Sequence, residues 1–367
     1  MDFLTNVPLK PYTTFKIGGP ATYFARLSDS AEVPQATEFA ASHRVPIFVL
    51  GGGSNLLVSD AGLNALVLHP VRQGITQVEA TDDSVLIRAD AGEPWDRLVA
   101  RAVANHWWGI ENLSHIPGQA GAALVQNIGA YGQQLSSVFE SAEVADLATG
   151  SVRSLAGDEC ALGYRRSAFN TSHKGRFLIL SITLRLSRTP QPHLTYPDVK
   201  AWFEASRING PSIGEIRQAI VAIRDRKFPY PAAEKGGNAG SFFKNVTLSK
   251  DEYAALDRRI ENHFGAAARD RLHALRGRSS TVNGIRIPTA FLMEICDLNG
   301  LQMGSAQVNE TQPLVLLNQG GATARDVLAL ARNVRQTLFT QTGVRVAIEP
   351  ELAGFREGEI NAFMAVA

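Results

Sequence analysis

The 367-residue sequence contains only two cysteines, Cys160 and Cys296. They form no CxxC pair and have no neighbouring histidine, which argues against a disulfide framework and against a zinc site. We therefore expect both thiols to pack in the core, and we expect no bound metal. Such sparse cysteine usage also predicts a reducing, cytoplasmic environment.

Long apolar runs and blocks of one charge are missing as well. No run approaches the roughly 20 residues of a membrane-spanning helix, and the start MDFLTNVPLK lacks the features of a signal peptide. The net charge of +1 argues against general nucleic-acid binding. With 45% apolar and 19% charged residues, the sequence is typical of a globular protein. We expect small-molecule ligands, no nucleic acid, no membrane insertion and a monomeric chain.

Three sequence positions carry the capping-box spacing that begins a helix, each followed by apolar residues at helical intervals. A further helix is predicted after Pro94 through Ala104, and Gly343 is predicted to end the last long helix. The three capping pairs are Asp29 with Glu32, Ser212 with Glu215, and Thr323 with Asp326.

Short apolar segments alternate with these helices and predict strands. The segments are PIFVL, LLVS, SVLIRADAG, LSITLRLS and VRVAIEPE. We expect the last strand to end at Glu349, because Pro350 cannot donate a hydrogen bond to a neighbouring strand. The alternation predicts an α+β protein, with a connector at Ser187–Tyr196 between a cofactor half and a substrate half.

The segment GGGSN, Gly51 to Asn55, has the ingredients of an anion cradle. Glycines let backbone N–H groups approach a phosphate, and Ser54 and Asn55 add donors. However, Leu56 stands where G-x-G-x-x-G needs its third glycine, and a strand follows instead of a helix. A tight hairpin turn is therefore the alternative interpretation.

A second glycine-rich segment, IPGQAGAALVQNIGAYGQ, runs from Ile116 to Gln133. A helix in the core would not tolerate so many glycines. Two such loops in one half of the chain suit a long ligand with a diphosphate and a flat ring.

Five segments then occur in a fixed order: LGGGSNLLV, IPGQAGAALVQNIGAYG, GYRRSAF, NAGSFFKN and IEPE. Together they closely resemble the UDP-N-acetylenolpyruvoylglucosamine reductases, also called UDP-N-acetylmuramate dehydrogenases, which are flavoenzymes of bacterial peptidoglycan precursor synthesis. The resemblance spans Thr14 to Glu351. The segment LTYPDVK also resembles the tyrosine-bearing loop of the family's first subtype, to which we assign the chain.

The resemblance implies a two-lobed FAD-binding module of the vanillyl-alcohol oxidase (PCMH) type, followed by a C-terminal α+β substrate-binding domain. It implies a module at 1–187 with lobes at about 1–70 and 71–187, a substrate domain at 188–349, and a tail at 350–367 that packs back on the first lobe. The implied cofactor contacts are Gly51, Gly52, Gly53, Ser54, Asn55, Gly118, Gly121, Gln126, Asn127, Gly129 and Arg224.

The family reaction reduces an enolpyruvyl ether to a lactyl ether, with NADPH as the electron source and FAD as the carrier. The resemblance implies that Arg165, Ser241 and Glu349 are catalytic. Arg165 would stabilise the charge that develops on the substrate carboxylate, and a surface ion pair is its alternative role. Glu349 would then need a raised pKa, and a solvated carboxylate is its alternative state.

Ser241 follows Gly240 and precedes Phe242 and Phe243. Its hydroxyl is either a buried cap or a general acid that protonates the carbon next to the one receiving hydride. The two phenylalanines would shield that site from water, or they are plain core residues.

The implied substrate contacts extend along the second half of the chain. They are Tyr164, Tyr196, Lys227, Asn245 and Gln312. The sequence departs from the family at Asn299, where related chains often have a diphosphate-binding lysine, and at Ala123 and Leu124, which replace a commoner Ser-Pro in the flavin loop.

Two other functions fit parts of this pattern. Another FAD enzyme on the same module, such as an alcohol oxidase, would consume oxygen rapidly and would not need Ser241. A non-catalytic protein that binds nucleotide sugars would keep the phosphate contacts without a flavin.

Overall fold

The structure is a computed structural model that describes residues 1–227, 236–281 and 284–365. Within these ranges, no helix combines the length and apolarity needed to cross a bilayer.

The strands are short, and most are separated by loops or helices. In chain order they are β1 (Leu4–Pro8), β2 (Pro20–Leu27), β3 (Ile47–Val49), β4 (Leu56–Val58), β5 (Leu63–Pro70), β6 (Ile75–Ala80), β7 (Ser84–Asp90), β8 (Gly129–Ala130), β9 (Gln133–Gln134), β10 (Phe139–Asp146), β11 (Val152–Ala156), β12 (Phe177–Ser187), β13 (Val246–Leu248), β14 (Ser280–Thr281), β15 (Gly284–Ile287), β16 (Gln302–Met303), β17 (Ala306–Val308), β18 (Leu316–Asn318) and β19 (Glu351–Ala353).

The α-helices differ widely in length. They are α1 (Val33–His43), α2 (Trp95–Ala104), α3 (Ala120–Val125), α4 (Pro197–Ser206), α5 (Ile213–Lys227), α6 (Lys250–Ser279), α7 (Thr289–Ile295), α8 (Ala324–Thr342) and α9 (Glu357–Met364). Helix α6 is broken at Gly265, whose φ of 82° is not helical. Short 3-10 turns lie at Lys10–Tyr12, Ser30–Glu32, Glu111–Leu113, Leu135–Ser137 and Ala168–Asn170.

The first of two compact units comprises Met1–Pro8, Pro20–Ser54 and Leu63–Arg226. It holds a four-stranded sheet in the order β1-β2-β5-β3, in which β2, β5 and β3 run parallel. It also holds a five-stranded antiparallel sheet in the order β11-β10-β12-β7-β6. Strand β12 lies inside the second sheet, which explains why its sequence is apolar on both faces near its start.

The second unit comprises Leu9–Gly19, Asn55–Gly62 and Lys227–Ala367. Its sheets are small: β13-β15-β14, β16-β17-β18 and the parallel pair β19-β4. Helix α8 packs against these strands through an apolar stripe that includes Val327, Leu330 and Val334, each fully buried. The N-terminus of α8 is bound by the Asp60 carboxylate, which accepts from the Ala324 N–H at 2.8 Å.

The local sequence signals are confirmed where they rest on capping and periodicity. The three predicted capping pairs all begin helices, and the third pair satisfies both reciprocal hydrogen bonds at Thr323 and Asp326. Gly343 ends α8 in the left-handed conformation. The helix predicted after Pro94 is α2 and ends at Ala104.

One alternative interpretation and one strand prediction are wrong. The GGGSN segment is not a hairpin turn, because β3 pairs with β5 while β4 pairs with β19. The segment VRVAIEPE is not a regular strand. Among the described residues it forms an isolated bridge between Ile348 and Phe243, and β19 begins only after Pro350. Its alternating pattern reflects burial of Val344 and Val346 against the core rather than a ladder of hydrogen bonds.

Both cysteines are buried and unbridged, each in a hydrophobic core, so their predicted core packing is confirmed. Burial raises the pKa of Cys160 to about 11 and that of Cys296 to about 12, so neither forms a thiolate at neutral pH. The adjacent Trp107 and Trp108 are also buried.

Candidate active site

In the first unit, the two glycine-rich loops lie backbone against backbone. A Cβ atom on Gly52 would come within 2.5 Å of the Gly118 Cα atom, and one on Gly118 would come within 2.7 Å of the Ser54 hydroxyl. Gly118 also has a φ of +119°, which side-chain-bearing residues rarely adopt. Gly51 and Gly53 belong to the first loop. In the second loop, the Gly121 N–H donates to the Ala91 carbonyl at 3.0 Å. The fold therefore joins two motifs that are far apart in the sequence.

Gln119 lies at this junction, and the sequence motifs did not identify it as a candidate site residue. Its Nε2 donates to the Pro70 carbonyl at 3.2 Å. Its Oε1 is buried and accepts no hydrogen bond from any part of the chain that the structure describes. A buried acceptor left without a donor costs free energy unless a ligand supplies one. The only sequence signal was a single amide between the glycines of IPGQAG.

A cavity of about 240 Å³ adjoins this junction through Pro70. It lies at the carboxyl ends of β2 and β5, where Ser28 and Pro70 line it, and it extends to charged side chains on β7. The charged and apolar residues that line its far side include Arg72, Arg88, Asp90 and Ile179. Sequence motifs gave no indication of this cavity, because its walls come from five separate parts of the chain.

The second half of the second glycine-rich loop, Ile116 to Gln133, is fixed by side-chain hydrogen bonds. Asn127 has a φ of +41° and is 2% exposed, and its Nδ2 donates to the Gly163 carbonyl at 2.7 Å. The Gln126 amide oxygen accepts from Asn170 at 3.2 Å. Ala123 and Leu124, which depart from the family pattern, lie buried in the short helix α3. These bonds tie the loop to the segment that carries Arg165.

Arg165 lies at the tip of a turn closed by the bridge between Gly163 and Arg166. Its φ of +53° is uncommon for a residue with a side chain, and such strain is concentrated at functional sites. Its Nη2 donates to the Gly129 carbonyl at 3.0 Å, and its guanidinium carbon lies 5.4 Å from the centre of the Tyr164 ring. The fold therefore brings Arg165, with the Tyr164 ring beside it, to the second glycine-rich loop.

Arg224 and Tyr196 meet the same loop at Tyr131. The Tyr196 ring packs edge-on against the Tyr131 ring, with centroids 5.2 Å apart. Burial raises the pKa of Tyr131 to about 12, and the positive charge of Arg224, together with its hydrogen bond to Tyr131, opposes that rise. The connector before Tyr196 is held by Asn112, whose Nδ2 donates to the His193 carbonyl at 2.8 Å.

In the second unit, Ser241 and Glu349 lie on two segments that pair. Gly240 turns the chain with a φ of +69°, and its N–H is bound by the Asn238 side chain. Ser241 then forms a bridge with Val315, and the next residue, Phe242, accepts a hydrogen bond from the Glu349 N–H at 2.9 Å. Ser241 and Glu349 are both half-buried.

Phe242 and Phe243 are fully buried, with ring centroids 5.3 Å apart. Both belong to the hydrophobic core of the second unit. The structure therefore gives these rings a core-packing role, and they anchor the segment that presents Ser241.

The predicted substrate contacts of the second unit adjoin this segment. The Gln312 carbonyl accepts from the N–H of Val315, the residue that bridges to Ser241, at 2.9 Å. The loop before Gln312 binds the Lys227 carbonyl through Asn309 and Thr311, at 3.2 and 3.0 Å. Lys227, Gln312 and Ser241 are therefore connected through one loop.

Three asparagines in the second unit form hydrogen bonds with other parts of the chain. Asn245 and Asn55 are implied ligand contacts, and Asn299 departs from the family pattern. The Asn245 Oδ1 accepts from the Thr289 N–H at 3.1 Å, at the start of α7. The Asn55 Nδ2 donates to the Glu349 carbonyl at 3.3 Å. Asn299, which stands where relatives often have lysine, donates to the Glu310 carbonyl at 2.8 Å. Each of these amides uses a hydrogen-bonding group to fix a loop.

His69 supports the first glycine loop and was also missed in the sequence. Its Nδ1 donates to the carbonyl of Leu50, the residue before Gly51, at 2.8 Å. Burial lowers the pKa of His69, the nearby charge of Arg26 lowers it further, and the Leu50 hydrogen bond opposes both.

Across the described residues, no group of three or more His, Cys, Asp or Glu side chains is placed to hold a metal ion.

Two family models match separate parts of the chain. Residues 21–156 match the model of the FAD binding domain. Residues 231–353 match the model of the C-terminal domain of UDP-N-acetylenolpyruvoylglucosamine reductase. The chain thus contains an FAD binding domain followed by this C-terminal domain, and the predicted fold class is confirmed.

Similarity to individual relatives extends over nearly the whole chain. A UDP-N-acetylenolpyruvoylglucosamine reductase from Chromobacterium violaceum is 36% identical over 95% of this chain and 98% of its own. One from Pseudomonas aeruginosa is 38% identical over 96% of this chain and 99% of its own. The crystal structure of the reductase from Thermus caldophilus has the same fold, with a TM-score of 0.63 and 23% sequence identity. The match covers 96% of this chain and 98% of the Thermus chain. This chain belongs to the UDP-N-acetylenolpyruvoylglucosamine reductase family.

Proposed function

We propose that this protein catalyses the NADPH-dependent, FAD-mediated reduction of UDP-N-acetylenolpyruvoylglucosamine to UDP-N-acetylmuramate in peptidoglycan precursor synthesis. The observation that carries the proposal is the similarity to reductases of this name over both the cofactor-binding and the C-terminal domain. A relative that matched only the FAD binding domain would support a flavoprotein without indicating its substrate.

The residues of the first unit fit a long dinucleotide. A side chain on Gly52 would clash with the Gly118 backbone, so only glycine lets the two loops come this close. We propose that their backbone N–H groups bind the diphosphate. The buried Gln119 Oε1 offers an acceptor for a ligand hydroxyl. The adjoining cavity of about 240 Å³ would hold the nucleoside end. FAD, when bound, supplies the hydride transfer from NADPH to the terminal vinyl carbon of the substrate.

Ser241 is proposed to donate a proton to the carbon next to the one that receives hydride. An alcohol is a weak acid, but a carbanion-like centre is a strong enough base to take its proton when the two are held in contact. The rigid support of Ser241 favours this role, because Gly240 and the buried Phe242 fix the backbone on both sides.

Arg165 and Glu349 are proposed to stabilise the charge that develops on the substrate carboxylate. A guanidinium stays charged and can bind a carboxylate with two parallel hydrogen bonds. The bond from Arg165 to the Gly129 carbonyl orients that guanidinium. Glu349 is proposed to act in its protonated form, because an ionised carboxylate would repel the anion.

The remaining contacts are proposed to bind the phosphates and the sugar. Lys227 would neutralise charge on the substrate diphosphate, and Arg224 would neutralise charge on the FAD diphosphate. Tyr196 would cover the substrate nucleotide. Asn245, Gln312 and Tyr164 would hydrogen-bond the substrate. Asn299 makes a loop contact with Glu310 in place of the family's lysine, so we propose that Lys227 carries more of the substrate's diphosphate charge here.

Rapid mixing of the flavin-loaded protein under anaerobic conditions tests the proposed function. NADPH should bleach the flavin absorbance faster than NADH, and the enolpyruvyl nucleotide sugar should then restore it. UDP-N-acetylglucosamine, which lacks the enolpyruvyl group, should not restore it. In a separate mix with air and no nucleotide sugar, rapid reoxidation would favour an oxidase. Absence of flavin would favour a nucleotide-sugar binding protein.

A further inference from the structure

Asp96 makes three hydrogen bonds between parts of the first unit that are distant in sequence. It lies in the first turn of α2, where both carboxylate oxygens accept from Arg217 of α5 at 2.7 and 2.8 Å. One of these oxygens also accepts from the His115 N–H at 2.5 Å. Burial opposes ionisation of this carboxyl, but the bonds from Arg217 and His115 outweigh it and lower the pKa of Asp96. The carboxylate is therefore charged at neutral pH.

His115 connects this carboxylate to the second glycine loop and to the end of α5. It directly precedes Ile116-Pro117-Gly118 and has a left-handed φ of 60°. Its carbonyl accepts from the Nε of Arg224 at 2.8 Å, and its ring Nε2 lies 2.8 Å from a carboxylate oxygen of Asp225. Asp96 thus fixes the backbone of the residue that holds Arg224.

The spacing along α5 makes this connection rigid. Arg217 and Arg224 are seven residues apart, which is about two helical turns, so both lie on one face of the helix. Arg217 is bound to Asp96 and Arg224 to His115, and Asp96 also binds His115. The three contacts close a ring between α2, α5 and the start of the glycine loop.

We propose that Asp96 is a positioning residue for cofactor binding, which acts by holding Arg224 in the orientation that binds the FAD diphosphate. The inference rests on the proposed role of Arg224 as a cofactor contact. A bidentate pair between Asp96 and Arg217 fixes the helix more firmly than a single bond would. The bond to His115 fixes the carbonyl that aligns the Arg224 guanidinium.

A purely structural tie between α2 and α5 is the competing explanation. Such a tie would change the melting temperature of every variant without changing cofactor affinity selectively. A double-mutant cycle between Asp96 and Arg224 separates the two, because residues that act through one another do not have additive effects.

The test measures FAD dissociation from the holoprotein by the rise of flavin fluorescence on dilution. Asp96→Asn keeps an oxygen for the His115 N–H but loses the charge that binds Arg217. We expect it to raise the dissociation constant about tenfold, as for loss of a hydrogen bond to a charged group. Arg224→Met should raise it at least as much, and the double variant should match Arg224→Met alone.

The proposal would be overturned if the increases in FAD dissociation constant from the two single variants multiplied in the double variant. It would also be overturned if Asp96→Asn had a lower melting temperature but bound FAD normally. Should Asp96→Asn fail to fold, Arg217→Lys takes its place in the cycle, because it keeps the charge and loses the bidentate geometry. The control is Glu140→Gln, which weakens the comparable bidentate pair with Arg185 between β10 and β12. The FAD measurement does not involve the enolpyruvyl substrate, so failure of the proposed reaction would leave this test intact.

Discussion

The backbone N–H of Glu349 donates to the carbonyl of Phe242 at 2.9 Å, which places the proposed acid Ser241 and the carboxyl of Glu349 on directly paired segments. Neither segment is part of a regular strand. Isolated bridges hold them instead, from Ser241 to Val315 and from Phe243 to Ile348. Such pairing fixes a short backbone segment in which Phe242 and Phe243 are buried while Ser241 and Glu349 stay partly exposed.

Ser241→Ala should separate the two half-reactions. Reduction of the flavin by NADPH should survive, because it requires no proton from Ser241. Reoxidation by the enolpyruvyl substrate should slow by about a hundred- to a thousandfold, as for other positioned donors. Rapid-mixing absorbance measures both steps. Ser249→Ala, which removes the cap of α6 in the same unit, should alter neither rate, and normal reoxidation in Ser241→Ala would refute the proton-donor role.

Arg165→Lys should lower turnover by about a hundredfold although it preserves the charge. Lysine is a point charge and cannot bind a carboxylate through two parallel bonds while also donating to the Gly129 carbonyl. Steady-state kinetics with saturating NADPH measure the effect. The neighbouring exposed residue provides the control, since Arg166→Lys should behave like the unaltered protein; equal turnover in both variants would argue against the carboxylate clamp.

Gly52→Ala should abolish retention of FAD. The added methyl group would come within 2.5 Å of the Gly118 backbone, so the two loops would have to separate. The ratio of flavin to protein absorbance after purification reports the loss. Gly214→Ala adds the same methyl group in α5, where its nearest neighbour would be 3.9 Å away, and it should keep its flavin. A yellow Gly52→Ala protein with normal stoichiometry would contradict the cradle.

His69 should make the stability of the protein depend on acidity. Burial lowers its pKa in the folded state, so below about pH 6.5 the unfolded chain takes up a proton that the folded chain resists. The free energy of unfolding should therefore fall as pH drops from 7.5 to 5.5. In His69→Asn the amide can replace the Nδ1 donor to Leu50 without titrating. Denaturant unfolding should show a shallower pH slope for this variant, by at most about 1.4 kcal/mol per pH unit, and identical slopes would show that His69 does not contribute.

The sequence predicted most successfully where the physical cause is local. Capping pairs, helical periodicity and the end of α8 at Gly343 depend on residues within a few positions of one another, so they can be identified without knowing the fold. The pattern failed at VRVAIEPE, where Val344 and Val346 alternate with exposed residues because the segment lies on the core. Alternation reports burial, and burial does not require a partner strand.

Taken alone, the sequence determined the family, the order of its motifs and the chemical identity of the candidate side chains. The tertiary structure decided which of them meet. It joined Gly52 to Gly118, paired Phe242 with Glu349, and built a cavity from residues as distant as Ser28 and Ile179. The reason is physical: contacts between residues far apart in the chain depend on how whole elements pack, and no short segment of sequence contains that information.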